Sequence, residues 1–155
     1  MNASLTSGGS SLGDSFLNIE GLLGSNTGND TLYGNGEDNH MDGAGGSDQL
    51  YGIGGNNTLV GGLGDDTLSA GTGVDIMTGG AGADNFTFTS SSGLNVITDF
   101  EDGLDVIEFA SVTNVFDLSF VQLGDDVLIQ TPAGGASVIV YDSEIVDFTV
   151  SDFIF

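Results

Sequence analysis

The chain has 155 residues, which fits one domain or one repeat module with a cap, and its 39% apolar content suffices for a modest core. It carries 23 Asp and Glu residues, one His and no Lys, Arg or Cys. That balance argues against binding to nucleic acid or to an anionic membrane surface, and it removes disulfides, thiolate metal sites and cysteine catalysis. Carboxylates that folding draws together find no basic partner beyond His40 and the amino terminus, so they must be protonated, stay wet or bind a cation from outside.

In chain order, residues 1–23 are expected to form an N-terminal cap or linker. The opening MNASLTSGGSSLGDSF has no cationic n-region and no apolar h-region, so it does not read as a Sec signal peptide. Apolar runs along the chain are far shorter than the ~20 residues that span a bilayer. From residue 24 to 87 a nine-residue unit repeats seven times, with an acid or amide at its sixth position and a large apolar residue at its eighth. The eighth positions are Leu32, Met41, Leu50, Leu59, Leu68, Met77 and Phe86, with no slip in register.

A helix is excluded, because a Gly at roughly every third position costs ~1 kcal/mol each relative to Ala and no 3.6-residue apolar period is present. The pattern predicts a turn of about six residues and a three-residue strand whose middle side chain points inward. Glycine supplies positive φ in such turns and lets carbonyls converge without Cβ atoms in the way. A carboxylate added to those carbonyls makes an all-oxygen site suited to Ca²⁺, and less to Mg²⁺, which keeps its waters and demands tighter octahedral geometry.

The units GSNTGNDTLY, GNGEDNHMD, GAGGSDQLY, GIGGNNTLV, GGLGDDTLS, AGTGVDIMT and GGAGADNFT resemble the RTX family, whose repeat G-G-x-G-x-D-x-U-x marks a calcium-binding parallel β-helix. The resemblance implies an all-β fold: a parallel β-roll, two nonapeptides per turn, with calcium between stacked turns along both edges, and then an antiparallel β cap. Units 18 residues apart would share an edge. One edge then carries Asp30, Asp48, Asp66 and Asp84, and the other carries Asn39, Asn57 and Asp75. Two amides in place of acids depart from the family pattern and imply weaker calcium occupancy of the second edge, although Asn can still offer a carbonyl ligand or ladder with its neighbour. The candidate metal-site residues are Asp30, Asp48, Asp66, Asp84, Asp75 and Asn57, with Gly28, Gly43, Gly46, Gly61, Gly64, Gly79 and Gly82 of the turns, and beyond the repeats Asp99 and Asp105.

Residues 88–155 are expected to form the cap, built from the segments NVITDF, DVIEF, LSFVQL, DDVLIQT, ASVIVYD and DFTVSDFIF. Gly124-Asp125 and the PAGG segment read as hairpin turns, and the cap would cover an open sheet edge that otherwise invites aggregation. The segment ITDFEDGLDVIEF resembles the stretch that follows the roll in secreted RTX proteases and lipases. Its Asp99, Asp102 and Asp105 read either as a further calcium site or as a solvated acidic turn. The final Asp152-Phe153-Ile154-Phe155 resembles the acid-plus-apolar terminus read by bacterial type I secretion systems.

His40 is expected to face solvent, and as the single histidine it leaves zinc-hydrolase and Ser-His-Asp sets incomplete. Tyr33 and Tyr51 are expected as a cross-strand pair on an outer face. No nucleophile elbow, phosphate loop or dinucleotide fingerprint occurs. The resemblance therefore implies a non-enzymatic, calcium-binding module that folds after type I secretion and stabilises or presents a larger extracellular protein. Its implied partners are Ca²⁺, the secretion apparatus and an upstream domain of the same protein, with no nucleic acid and no membrane insertion. The alternatives are a polysaccharide-binding accessory module like those of alginate epimerases, or an adhesin or surface-layer segment.

Overall fold

A computed structural model describes residues 5–6, 20–89 and 92–155, so most of the cap or linker expected over residues 1–23 lies outside the described residues. The strands in chain order are β1 (Leu5–Thr6), β2 (Gly21–Leu23), β3 (Thr31–Tyr33), β4 (His40–Gly45), β5 (Gln49–Tyr51), β6 (Thr58–Leu63), β7 (Thr67–Ser69) and β8 (Ile76–Ala81). They continue as β9 (Asn85–Phe88), β10 (Leu94–Ile97), β11 (Val106–Phe109), β12 (Ser119–Leu123), β13 (Asp126–Gln130), β14 (Ser137–Val140) and β15 (Phe153–Ile154). No helix among the described residues is long and apolar enough to cross a membrane.

Successive strands of the repeat fall alternately in two sheets, as a coil with two strands per turn requires. One sheet runs β1-β2-β4-β6-β8-β10-β14-β13-β12 and the other β15-β11-β9-β7-β5-β3. Within the repeat each residue pairs in parallel with the one 18 positions on, as in Thr31, Gln49, Thr67 and Asn85. All seven eighth-position side chains are buried and join one core. Their neighbours at the seventh and ninth positions point outward, so Tyr33 and Tyr51 stack with ring centroids 4.9 Å apart and His40 is exposed.

The parallel ladder does not stop at Thr87. Strands β10 and β11 pair in parallel with β8 and β9, placing Ile97 beside Met77 and Ile107 beside Phe86. The connecting turns have lengthened, which breaks the nine-residue period, but parallel pairing needs only that inward residues stay in phase. The cap is consequently mixed. β12, β13 and β14 form the antiparallel part, with Gly124-Asp125 and the Pro132–Gly134 turn joining them, while β14 lies parallel to β10 and β15 parallel to β11. Phe100, Phe120, Phe148 and Phe153 form an aromatic cluster in this region, with centroid separations of 5.4 to 6.1 Å.

From the third unit on, second positions of the repeat take positive φ, among them Ala44 at 70°, Ile53 at 68° and Gly62 at 115°. A β-branched residue is strained there, and the Ile53 side chain is 52% exposed, so it gains little from packing. Ile53→Gly should raise stability by up to about 1 kcal/mol, the relief of strain exceeding glycine's chain-entropy cost. Leu59→Ala, at a fully buried site, should lower it by about 2–5 kcal/mol. Chemical denaturation of the folded protein checks both.

Candidate metal centres

The sixth position of every unit is polar and buried, an arrangement that costs free energy unless each polar atom finds a partner. One oxygen always does. On the first edge the Oδ1 atoms of Asp48, Asp66 and Asp84 accept from the backbone N–H of Asp30, Asp48 and Asp66 at 2.7, 2.7 and 2.8 Å. On the second edge Oδ1 of Asn57 and of Asp75 accepts from the N–H of Asn39 and Asn57 at 2.9 and 2.8 Å. Both ladders outlast the repeat, since Asp84 donates to Asp105 and Asp75 donates to Asn95, each at 2.9 Å. Sequence reasoning missed Asn95, although it stands two residues before the buried Ile97, the same spacing that links sixth and eighth positions.

A reciprocal set of bonds, also missed, comes from the fifth position. Side chains of Asn29, Asp38, Asn56 and Asp65 accept from the backbone N–H of Ser47, Asn56, Val74 and Ala83 in the next turn, at 2.6 to 3.0 Å. Fifth positions thus reach forward one turn and sixth positions back one turn, locking each turn to both neighbours.

The second carboxylate oxygens are what the protein leaves unanswered. Oδ2 of Asp48, Asp66, Asp84 and Asp75 is buried without a hydrogen-bond partner. On the first edge each of these atoms lies where a Cβ on a first-position glycine would sit: Gly43 for Asp48, Gly61 for Asp66 and Gly79 for Asp84. The carbonyl of the following turn reaches the same points, with Gly61 O 2.6 Å from the Cβ position of Gly43 and Gly79 O 2.5 Å from that of Gly61. Fourth-position glycines complete the close approach. Gly46, Gly64 and Gly82 have φ of 116° to 137°, and a Cβ on any of them would strike the carbonyl of Gly28, Gly46 or Gly64.

The Oδ2 atoms of Asp48 and Asp66 thus face carbonyl oxygens, and the chain has no Lys or Arg to neutralise them. Among the described residues no three acids or histidines converge, so a bound ion would be held by a carboxylate supplemented with turn carbonyls. That oxygen-only donor set fits Ca²⁺, which supplies the charge that would neutralise the orphaned oxygens.

Other predicted ligands are differently engaged. Oδ2 of Asp30 accepts from the N–H and hydroxyl of Ser25 at 2.6 and 2.8 Å. Asp99 accepts from the N–H groups of Gly79 and Gly80, and Oδ2 of Asp105 from that of Glu101. Asp102 is exposed.

Burial pushes the Asp48 and Asp84 carboxyls from 3.8 up to about 6; the N–H bonds they accept oppose the shift, and neighbouring carboxylates add to it. Burial raises Asp66, Asp75 and Asp105 as well. The folded chain therefore holds protons that the unfolded chain releases near pH 4, and folding without a metal is favoured below that pH and disfavoured as pH rises to about 6. In excess chelator, acidification from neutral pH to about 4.5 should increase β structure by circular dichroism, and Asp48→Asn should weaken that response. Equal ellipticity across the range would refute the assignment.

Residues 25–50 and 51–86 match the family model of the RTX calcium-binding nonapeptide repeat, in four copies. Among solved structures, the extracellular lipase LipA from Serratia marcescens aligns with 91% of this chain at 13% identity and a TM-score of 0.47, and the chain spans 41% of the lipase. The AlgE6R2 subunit of the mannuronan C5-epimerase from Azotobacter vinelandii aligns with 86% of this chain and 91% of its own length at 26% identity and a TM-score of 0.44. Its AlgE6R3 subunit aligns over 84% and 80% at 25% identity and a TM-score of 0.34. No curated protein matches the chain. The repeats over residues 25–86 belong to the RTX calcium-binding nonapeptide-repeat family.

Proposed function

We propose that the chain is a non-enzymatic module of a larger extracellular protein, exported unfolded by type I secretion and folded by calcium outside the cell. The observation that carries this reading is the row of orphaned oxygens on Asp48, Asp66 and Asp84, each against a first-position glycine, with a carbonyl of the next turn beside those of Asp48 and Asp66. Without a cation, these buried charges and the ordering of the glycine-rich turns oppose folding. Cation binding between turns turns its binding free energy into folding free energy. Extracellular calcium modules work at about 10⁻⁴–10⁻³ M, a range that separates the two compartments.

The same oxygens favour an asymmetric roll, with three orphans on the aspartate edge and one, on Asp75, opposite. Three well-occupied calcium ions are expected on the aspartate edge and at most one or two weaker ones on the other. In chelator at neutral pH the chain should be unfolded, and calcium should restore β structure where magnesium does so poorly. Circular dichroism tests the folding and a calcium-edge anomalous map tests the asymmetry. A folded spectrum in excess chelator overturns the first expectation, and equal occupancy of the two edges overturns the second.

The C-terminal residues carry the export part of the reading. Deleting residues 152–155 should retain the protein inside a host with a matching type I system, and unchanged export would reduce the tail to a strand.

A further inference from the structure

We propose that the side-chain amide of Asn57 takes the place of a calcium ion on the second edge, so that this part of the roll closes without metal and the share of Asn at sixth positions sets the calcium level at which the module folds. The inference rests on the calcium reading of the aspartate edge.

Asn57 is as buried as Asp66, and its Oδ1 accepts a backbone N–H from the preceding turn as those of Asp48, Asp66, Asp84 and Asp75 do. The difference lies in the other atom. Asp48, Asp66 and Asp84 turn an unpartnered oxygen toward a first-position glycine, whereas Asn57 turns Nδ2 there, 2.8 Å from the Cβ position of Gly52 and on the side where the Ala70 carbonyl approaches. Nδ2 donates to Oδ1 of Asp75 at 2.8 Å and to the carbonyls of Gly54 and Gly55 at 3.3 and 3.5 Å. One carboxylate oxygen and two turn carbonyls therefore surround a partly positive NH₂ group, the kind of oxygen set that a hard cation would take.

The surroundings fix the orientation of the amide. A flipped Asn57 would set its oxygen against three acceptors and its NH₂ against the Asn39 N–H. Asn95 repeats the device, with Oδ1 accepting from Asp75 N–H at 2.9 Å and Nδ2 donating to the Gly93 carbonyl at 3.2 Å. Between these two, the first position of the unit that leads to Asp75 is Ala70, fully buried, so a methyl stands where Gly34, Gly43, Gly52, Gly61 and Gly79 leave space in their units. An amide thus supplies internally what the aspartates need from solution. Replacing it with a carboxylate would leave an oxygen facing three oxygens, and replacing an aspartate of the first edge with asparagine would answer an orphan.

The test compares full-length wild type, Asn57→Asp, Asp66→Asn and Asp125→Asn by circular dichroism, starting in excess chelator at neutral pH and titrating calcium. Asp125 is exposed in a hairpin turn, so its variant removes one charge without touching either edge. Asp66→Asn should retain more β structure in chelator than Asp125→Asn and fold at about one-tenth of its calcium midpoint, on the scale of one buried unsatisfied group. It should also bind one ion fewer by calorimetric titration. Asn57→Asp should shift the calcium midpoint about tenfold upward. If Asp66→Asn instead matches Asp125→Asn, or needs more calcium than wild type, the inference is overturned even where wild type folds on calcium. If wild type ignores calcium, the calcium reading fails, and the ranking of the variants in chelator still decides the role of the amide.

Discussion

A buried carboxylate needs a positive partner, and this chain has no Lys or Arg to provide one. Each turn of the roll nevertheless places a sixth-position acid or amide inside, because the side chain must reach back to the N–H of the turn before it. The bond that sets the stacking distance and the charge that resists burial belong to the same residue. Hydrogen bonding to one oxygen offsets only part of the desolvation, which is why the carboxyls of Asp48 and Asp84 still sit at about 6. The remaining oxygen has to be answered by a proton, a cation or, as proposed for Asn57, an amide nitrogen.

Glycine makes that problem solvable. At Gly43 and Gly61 the missing Cβ lets a carboxylate oxygen and a carbonyl of the next turn share one point. Oxygens so placed repel one another until something positive lies between them, so the geometry that creates a cation site also destabilises the metal-free chain. The parallel ladder adds nonlocal cost, since each pairing joins residues 18 apart and ordering glycine-rich turns is entropically expensive. On the proposed reading, folding and cation binding are one equilibrium rather than two.

Much of this was legible in the sequence because the repeat is strict. The burial of Leu32 through Phe86 and the division of sixth positions between two edges follow from a period of nine folded into a coil of two units per turn. What the period could not reveal is whatever does not repeat. Ile97 and Ile107 extend the roll through longer turns, so Asn95 and Asp105 join the ladders without matching the motif. The fifth-position bonds of Asn29, Asp38, Asn56 and Asp65 were hidden for another reason: outward-facing acids and amides are common on any soluble surface, and only the turn spacing shows that they reach a neighbouring N–H. The amide of Asn57 was visible as a departure from the family pattern, but its meaning depends on which acceptors its nitrogen faces.

The C-terminal tail links the fold to the proposed export route. In the folded chain Asp152 is buried, with Oδ2 accepting from the N–H and hydroxyl of Thr149, and Phe153 pairs with Ile107 inside the aromatic cluster. If an exporter reads residues 152–155 as proposed, the buried pair Asp152 and Phe153 can be read only before the last turn closes. Strand β15 pairs with β11 and β11 with β9, in the sheet that the aspartate-edge units build. Whatever keeps those carboxylates charged and apart therefore keeps the tail free as well. On that proposal, low calcium inside the cell would hold both conditions at once, and a rise in calcium on leaving it would bury Asp152 and Phe153 as it closes the roll.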